Sequence, residues 1–388
     1  MGNEKKKILL VMPLSTIEWG SLNTGGVDSV CQMLSEHLVC NPSCDYRYRI
    51  VAVDTLRKRV FTGKPIILSD TVELVWVPLG AKLVGKIPIP TLLYLIYKVR
   101  QQVLDFKPDV VNTHIWSWIV GFSRDIPSIV TLHSYKWIGR RKVSALNDFF
   151  YVNVLPRLIR AFGHKIVCVG ENLKDAVTLD VKQNVSVIGN PIDKSYFIKN
   201  TRIKNTRPVK LVTCALLKPQ KQIEKIILLT YLLNEEGLNA ELTIIGPTSD
   251  KGYVNTLGML VKSRKLTNKV KFLGRLTKFD IIEEYRNSDI GVFFSKEETF
   301  GLAPLEMIAA GLPLLSTEVG ILAERKSFFE NIGVSFVNVG NPNEMLETAL
   351  KLISNPIAPT VEKLQEAFSV ASVVKKYESL YQELSKKC

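Results

Sequence analysis

Two glutamates eight positions apart, Glu298 and Glu306, bracket Phe300-Gly301-Leu302 in the stretch GVFFSKEETFGLAPLEMIAAGLPLLSTEVG, residues 291–320. Carboxylates accept hydrogen bonds from neighbouring hydroxyls, so a pair flanking one point suits a ribose or a hexose. The pattern around them is a strand, a loop, and a helix from about Gly301 to Ala310 closed by Gly311. Amides that open a helix have no intrahelical partner, so the N–H groups from Phe300 to Ala303 form a seat for a phosphate. Gly301 would let the backbone come close to that ligand. The alternative for the same acids is a solvated helix-entry carboxylate and an ordinary helical glutamate.

Positioning such a site needs strands that end beside it. Short Val/Ile-rich runs at residues 7–12, 49–53, 73–77, 109–113, 128–132 and 165–169 alternate with amphipathic, helix-length stretches. The pattern restarts after a polar interval at 199–208, with runs at 210–214, 241–245, 269–273, 290–294 and 314–316. Alternation of this kind marks parallel strands covered on both faces. The fold class expected is therefore α/β, with two Rossmann-like domains in tandem. Ligands of such sheets bind beyond the carboxyl ends of the strands, which predicts a large site in a cleft between the two. The expected divisions are an N-terminal domain over 1–190, a second over 191–365, and a terminal segment over 366–388.

The 388 residues, 46% hydrophobic and 23% charged, exclude a miniprotein and extended disorder. The longest apolar stretches, 87–97 and 226–233, are too short to span a bilayer, which takes about 20 residues. Residues 8–14 lead into polar Ser15, Thr16 and Glu18 rather than a cleavage site, so they are expected to form a first buried strand. Six scattered cysteines without metal-ligand spacing point to buried free thiols and a cytoplasmic setting. The net charge is +14, with 26 basic and 16 acidic side chains in residues 1–200 against 25 and 21 in the remainder. A field of that sign favours phosphorylated ligands, anionic lipid or nucleic acid. Nucleic acid is disfavoured for want of a recognisable module. The basic, aromatic region 136–165, and the stretch 87–97 flanked by Lys82, Lys86, Lys98 and Arg100, are each expected either to meet an anionic membrane surface or to be a solvated face over core helices.

The frame Ser295, Glu298, Phe300, Gly301, Glu306, Ala310, Gly311 and Pro313 resembles the E-x7-E signature of the retaining GT-B glycosyltransferases, in particular glycosyltransferase family 4. Gly25-Gly26-Val27 is similar to that family's glycine loop. Thr131-Leu132-His133 resembles its T-x-H, with His114 a weaker candidate after the preceding strand. VIGNPID (187–193), LTIIGP (242–247) and FSVASVVKKYESLY (368–381) resemble its hinge-proximal segment, its glycine strand and its terminal helix. The family's diphosphate-clamping turn aligns with residues 215–222, where Lys221 is kept, Leu216 replaces the arginine and Gln222 a glycine, and Lys218 is a possible second cation.

The resemblance implies two Rossmann-like domains facing across a cleft, with the terminal helix crossing back onto the first. It also implies sugar transfer, with retention, from a UDP- or GDP-linked donor to a glycan or lipid-linked acceptor. Glu298 would hold sugar hydroxyls, Glu306 the ribose, His133 the sugar side, and Gly25, Gly26, Lys218, Lys221 and the amides of Phe300, Gly301 and Leu302 the diphosphate. No D-x-D occurs in the chain, so no metal and no other cofactor is expected. A cytoplasmic enzyme follows, with a peripheral position on the membrane face left open. With Leu216 in the clamp, a non-catalytic nucleotide-sugar-binding subunit of another transferase stays open, as does a sugar-nucleotide epimerase.

Overall fold

The computed structural model describes residues 4–16, 25–54, 56, 64–78, 83–84, 87–88, 91–115, 117, 119, 122, 125–136, 145–162, 165–181, 185–198, 208–248, 250–357 and 359–386. The chain divides into two compact units, one of Met1–Pro191 with Val370–Cys388, the other of Ile192–Ser369.

The first unit is built on β1 (Lys6–Leu14), β2 (Tyr46–Asp54), β3 (Ile66–Ser69), β4 (Val72–Pro78), β7 (Val110–Thr113), β8 (Ser128–Leu132), β9 (Lys165–Cys168) and β10 (Val185–Val187), with β5 (Leu83–Val84) and β6 (Ile87–Pro88) forming a separate ladder. The order is β10-β9-β8-β7-β1-β2-β4-β3, and every pairing is parallel except the β3–β4 hairpin. Ile8, Leu9, Val11, Ile50 and Val111 are fully buried, as continuous apolar strands of a covered parallel sheet must be. Helices α1 (Gly26–Cys40), α2 (Thr91–Phe106), α3 (Ala145–Phe149), α4 (Leu155–Phe162) and α5 (Glu171–Val181) connect the strands, with a π-helical stretch, Phe150–Val154, joining α3 to α4.

The second unit contains β11 (Val209–Cys214), β12 (Ala240–Ile245), β13 (Val270–Gly274), β14 (Ile290–Phe293), β15 (Leu314–Ser316) and β16 (Val334–Phe336), all parallel in the order β13-β12-β11-β14-β15-β16. Counted within the unit this is 3-2-1-4-5-6, the doubly wound order, and its switch point lies between β11 and β14. Eight helices accompany the strands: α6 (Ile223–Glu235), α7 (Lys251–Ser263), α8 (Lys278–Arg286), α9 (Leu302–Ala309), α10 (Gly320–Glu324), α11 (Lys326–Glu330), α12 (Pro342–Ser354) and α13 (Val361–Phe368). Their starts are set by local chemistry: a Thr277/Asp280 capping box on α8, Asp250 capping α7, and Asn341 followed by Pro342 on α12. Ile226, Ile227, Leu229, Leu242, Val292, Met345 and Leu352 close one core between them.

The expected single terminal helix is two helices. Ser369 is extended (φ −61°, ψ 151°) and separates α13 from α14 (Val370–Ser385). Phe368 stays in the second unit, packed on Phe300 and Phe329 with ring centroids 6.1 and 6.3 Å away, and its carbonyl accepts the Ile192 N–H at 2.8 Å. The boundary therefore falls after Ser369 rather than at 365/366. Helix α14 belongs to the first unit: Tyr48 Oη donates to Glu378 Oε1 (2.9 Å) and Asn112 Nδ2 to Tyr381 Oη (3.0 Å). The cysteines are not uniformly buried as expected. Cys31 and Cys168 are, but Cys40 and Cys44 are exposed because they flank the surface turn between α1 and β2; Cys388 lies outside the described residues.

The tight packing of strand ends around the switch point gives a stability test. Gly246 follows β12 with φ +139°, and a Cβ there would meet the Ala215 carbonyl oxygen at 1.9 Å. Backbone cannot yield as a side chain can, so Gly246→Ala should cost at least ~3 kcal/mol in urea unfolding. Gly258, inside α7 with open space around it, should instead gain up to about 1 kcal/mol as alanine.

Candidate active site

Two strand ends of the second unit supply the predicted residues. After β11, a 3-10 turn (Pro219–Lys221) follows Lys218; after β14 comes the loop carrying Glu298; and α9 opens from that loop. The Lys221 ammonium makes an ion pair with the Glu298 carboxylate, both side chains being largely buried. Lys221 Nζ also lies 5.3 Å from the centre of the Phe293 ring. A cation over an aromatic face and against a carboxylate is held in place before any ligand arrives. Gln222, at the position of the family's glycine, adopts φ 45° and ψ 41°. That left-handed conformation costs a non-glycine residue on the order of 1 kcal/mol, so the backbone keeps the shape that glycine would favour. Leu216, at the arginine position, is 38% exposed and offers no charge.

Gly301 caps α9 with φ 96°, a conformation that glycine adopts without strain, and no side chain caps the helix. Pro304 lacks an N–H, which leaves the amides of Leu302 and Ala303 as the donors at the helix opening. The Phe300 carbonyl is taken by the Ile321 N–H at 2.9 Å, which fixes the loop from behind. Glu306 is half-buried on the second turn of α9, and burial first, then the charge of Asp193, pushes its carboxyl up to about 7. Asp193 caps the turn Lys194–Tyr196, accepts from the Ser195 N–H at 2.8 Å, and lies 3.5 Å from Lys278 Nζ. Burial, followed by the Glu306 charge, raises the neighbouring Cys214 thiol to about 12.

In the first unit, Gly25 caps α1 and Gly26 is its first residue, next to the carboxyl end of β1. The helix start is anchored by Asp28, whose carboxylate accepts the Ser15 N–H at 2.8 Å. His133, one residue past β8, is hydrogen-bonded through Nε2 to Nδ1 of His114, one residue past β7, at 3.0 Å. The rings stack at 5.3 Å, and Tyr377 of α14 lies 6.0 Å from His114. Burial lowers the basicity of both imidazoles, His133 to about 4; for His114 the charge of His133 adds to the effect of burial. Both are neutral at pH 7, one donating and the other accepting. The sequence ranked His114 below His133, yet the fold makes them one unit. It also gave no role to Gln220 or Cys214, and only the VIGNPID resemblance pointed to Asp193.

Within the expected basic face, Lys136 pairs with Asp180 (2.6 Å), and Lys165 is buried 3.9 Å from Glu383. Those two cations are thus spent inside the unit. Residues 137–144, 163–164, Lys82 and Lys86 lie outside the described residues.

The histidine pair makes the first unit sensitive to acid. The folded pair resists protonation while the unfolded chain binds protons near pH 6.5, so stability present above 6.5 is lost as pH falls towards about 4. The loss for His133 is about 3 kcal/mol. Equilibrium unfolding between pH 7 and 4 should show this slope, and His133→Gln should flatten it.

The model of the family described as Glycosyltransferase Family 4 matches residues 24–196, and that of Glycosyl transferases group 1 matches 195–369. Among curated relatives, the glycogen synthase of Mycobacterium tuberculosis is 24% identical over 238 residues, which is 56% of this chain and 54% of that protein. The chain thus spans about half the length of that relative. Among solved structures, the sucrose-phosphate synthase of Thermosynechococcus elongatus superposes with a TM-score of 0.72 at 15% identity, covering 99% of this chain and 100% of that one. HepE of Anabaena, solved in complex with UDP and glucose, superposes with a TM-score of 0.65 at 15% identity, covering 97% and 100%. At these identities the likeness to solved structures speaks for fold. The two models together span residues 24–369, and the chain belongs with the family 4-like proteins of the GT-B fold.

Proposed function

We propose that this glycosyltransferase moves a hexose, with retention and without a metal, from a UDP- or GDP-linked donor to a saccharide or lipid-linked acceptor. The observation that carries the reading is the Lys221–Glu298 pair beside the open amides of α9, with Glu306 on the same helix, all at the switch point of one sheet. As the glycosidic bond breaks, negative charge gathers on the diphosphate. Lys221, with Lys218 as a second cation, and the amides of Leu302 and Ala303 supply fixed positive potential where it gathers. Glu298 and Glu306 accept from sugar and ribose hydroxyls, and neutral His133 can hydrogen-bond the sugar without opposing positive charge on the ring. The acceptor oxygen forms its bond to the anomeric carbon on the face the phosphate leaves, and the departing phosphate takes the acceptor's proton. Solved structures of HepE with UDP, and with UDP-glucose, favour a uridine nucleotide as the first ligand to try.

Leu216 favours one second reading, a subunit that binds the nucleotide sugar for a partner transferase. Tight UDP binding with neither transfer nor donor hydrolysis across many acceptors would select it.

Membrane association, part of the lipid-linked reading, has its support on α2. Its inner side buries Tyr94, Leu95, Val99, Val103 and Phe106, yet Leu93, Tyr97 and Leu104 on the outer side are 55%, 41% and 67% exposed around Arg100. A helix apolar on both sides with a cation in the outer stripe fits an anionic lipid surface.

Calorimetry should find UDP or GDP binding that strengthens from pH 6 to 8 as Glu306 ionises through about 7, a dependence absent in Glu306→Gln. Transfer should persist in EDTA, and Lys221→Ala should lower turnover by on the order of a hundredfold. Restoration by manganese of activity lost to EDTA would refute metal independence. Phosphatidylglycerol vesicles should carry the protein in flotation, and Leu93→Ser with Leu104→Ser should release it; indifference to anionic lipid refutes the membrane reading.

A further inference from the structure

We infer that Gln220 is a positioning residue that holds the Lys221 turn and the Glu298 loop in a fixed mutual register. The inference rests on the proposed nucleotide-sugar reading of that site. Three hydrogen bonds between segments more than 70 residues apart meet at this glutamine. Its side-chain amide donates to the Glu297 carbonyl at 3.1 Å and to Glu297 Oε1 at 3.0 Å. Its own carbonyl accepts the Lys296 N–H at 2.9 Å, and the Ser295 hydroxyl, 3.4 Å from that carbonyl, donates to the Glu297 carbonyl at 2.9 Å. Ser295 is in turn tied to β15 through Thr317, whose hydroxyl accepts the Ser295 N–H (3.0 Å) and donates to the Ser295 carbonyl (2.7 Å).

The Lys221–Glu298 pair cannot itself perform this task. A diphosphate competes with Glu298 for the lysine, so the pair loosens when ligand binds, and a lysine stem is flexible. The Gln220 contacts go to the backbone and side chain of Glu297 and to the Lys296 N–H, and none of them uses the Lys221 ammonium or the Glu298 carboxylate, so an anion that takes the lysine leaves them in place. Leu216, standing where the family has a second clamp, makes the placement of Lys221 more consequential here.

The test is a double-mutant cycle read by UDP calorimetry on the full chain, with wild type, Gln220→Ala, Lys221→Ala and the double variant. Gln220→Ala should weaken UDP about tenfold in the wild-type background and less than about twofold beside Lys221→Ala, since an effect transmitted through the lysine vanishes with it. Equal losses in both backgrounds, or unchanged affinity in Gln220→Ala, would overturn the inference. Failure of the wild type to bind UDP or GDP would instead refute the nucleotide-sugar reading on which it rests. Should Gln220→Ala fold poorly, Gln220→Glu combined with Glu297→Gln exchanges acceptor and donor. It should recover affinity lost in Gln220→Glu alone, and no recovery counts against the inference.

Discussion

The ion pair between Lys221 and Glu298 is the interaction on which the candidate site turns. It joins the loops that follow β11 and β14, the two neighbours between which the strand order reverses. At a reversal the connections leave towards opposite faces of the sheet, so a crevice opens at the strand ends, and opposed charges there would otherwise be free to drift. Tying them to each other satisfies both in the absence of ligand, and the contact lies largely out of water, where it is weakly screened.

A second electrostatic theme separates the two units. Around Glu306, burial and the charge of Asp193 oppose ionisation, which leaves a carboxyl poised near neutrality. Around His114 and His133, burial opposes protonation, which leaves a neutral donor–acceptor pair. In both places an apolar surrounding selects the uncharged form, and hydroxyl-rich ligands are met by hydrogen bonds more than by net charge.

Much of this was legible in the residues. The strand runs, the helix beginning beside Gly301, and the restart after the polar interval at 199–208 all follow from periodicity and turn chemistry, which are local properties. The family 4 frame singled out Glu298, Lys221 and His133, which follow strand ends, and Glu306, which lies on the second turn of α9. What escaped is non-local. No periodicity tells that His114 would meet His133 across β7 and β8, or that Gln220 would reach Glu297 across 77 residues. The break at Ser369 escaped because residues 361–385 are helical on either side of one extended residue, and only Phe368 seated on Phe300 and Phe329 decides where the turn falls. Counting cations in the basic region does not reveal that Lys136 and Lys165 are partnered by Asp180 and Glu383.

The discontinuous make-up of the first unit bears on how the chain comes to be folded as it leaves the ribosome. The second unit is one continuous stretch, complete once Ser369 has emerged. The first must wait for α14, because Tyr48 finds Glu378 only across 330 residues of intervening chain. Closing so long a loop is entropically costly and slow, so an eight-stranded sheet with His114 and Asn112 near its unfinished side stands open while its neighbour matures. A nascent chain is therefore most vulnerable to aggregation in its oldest part.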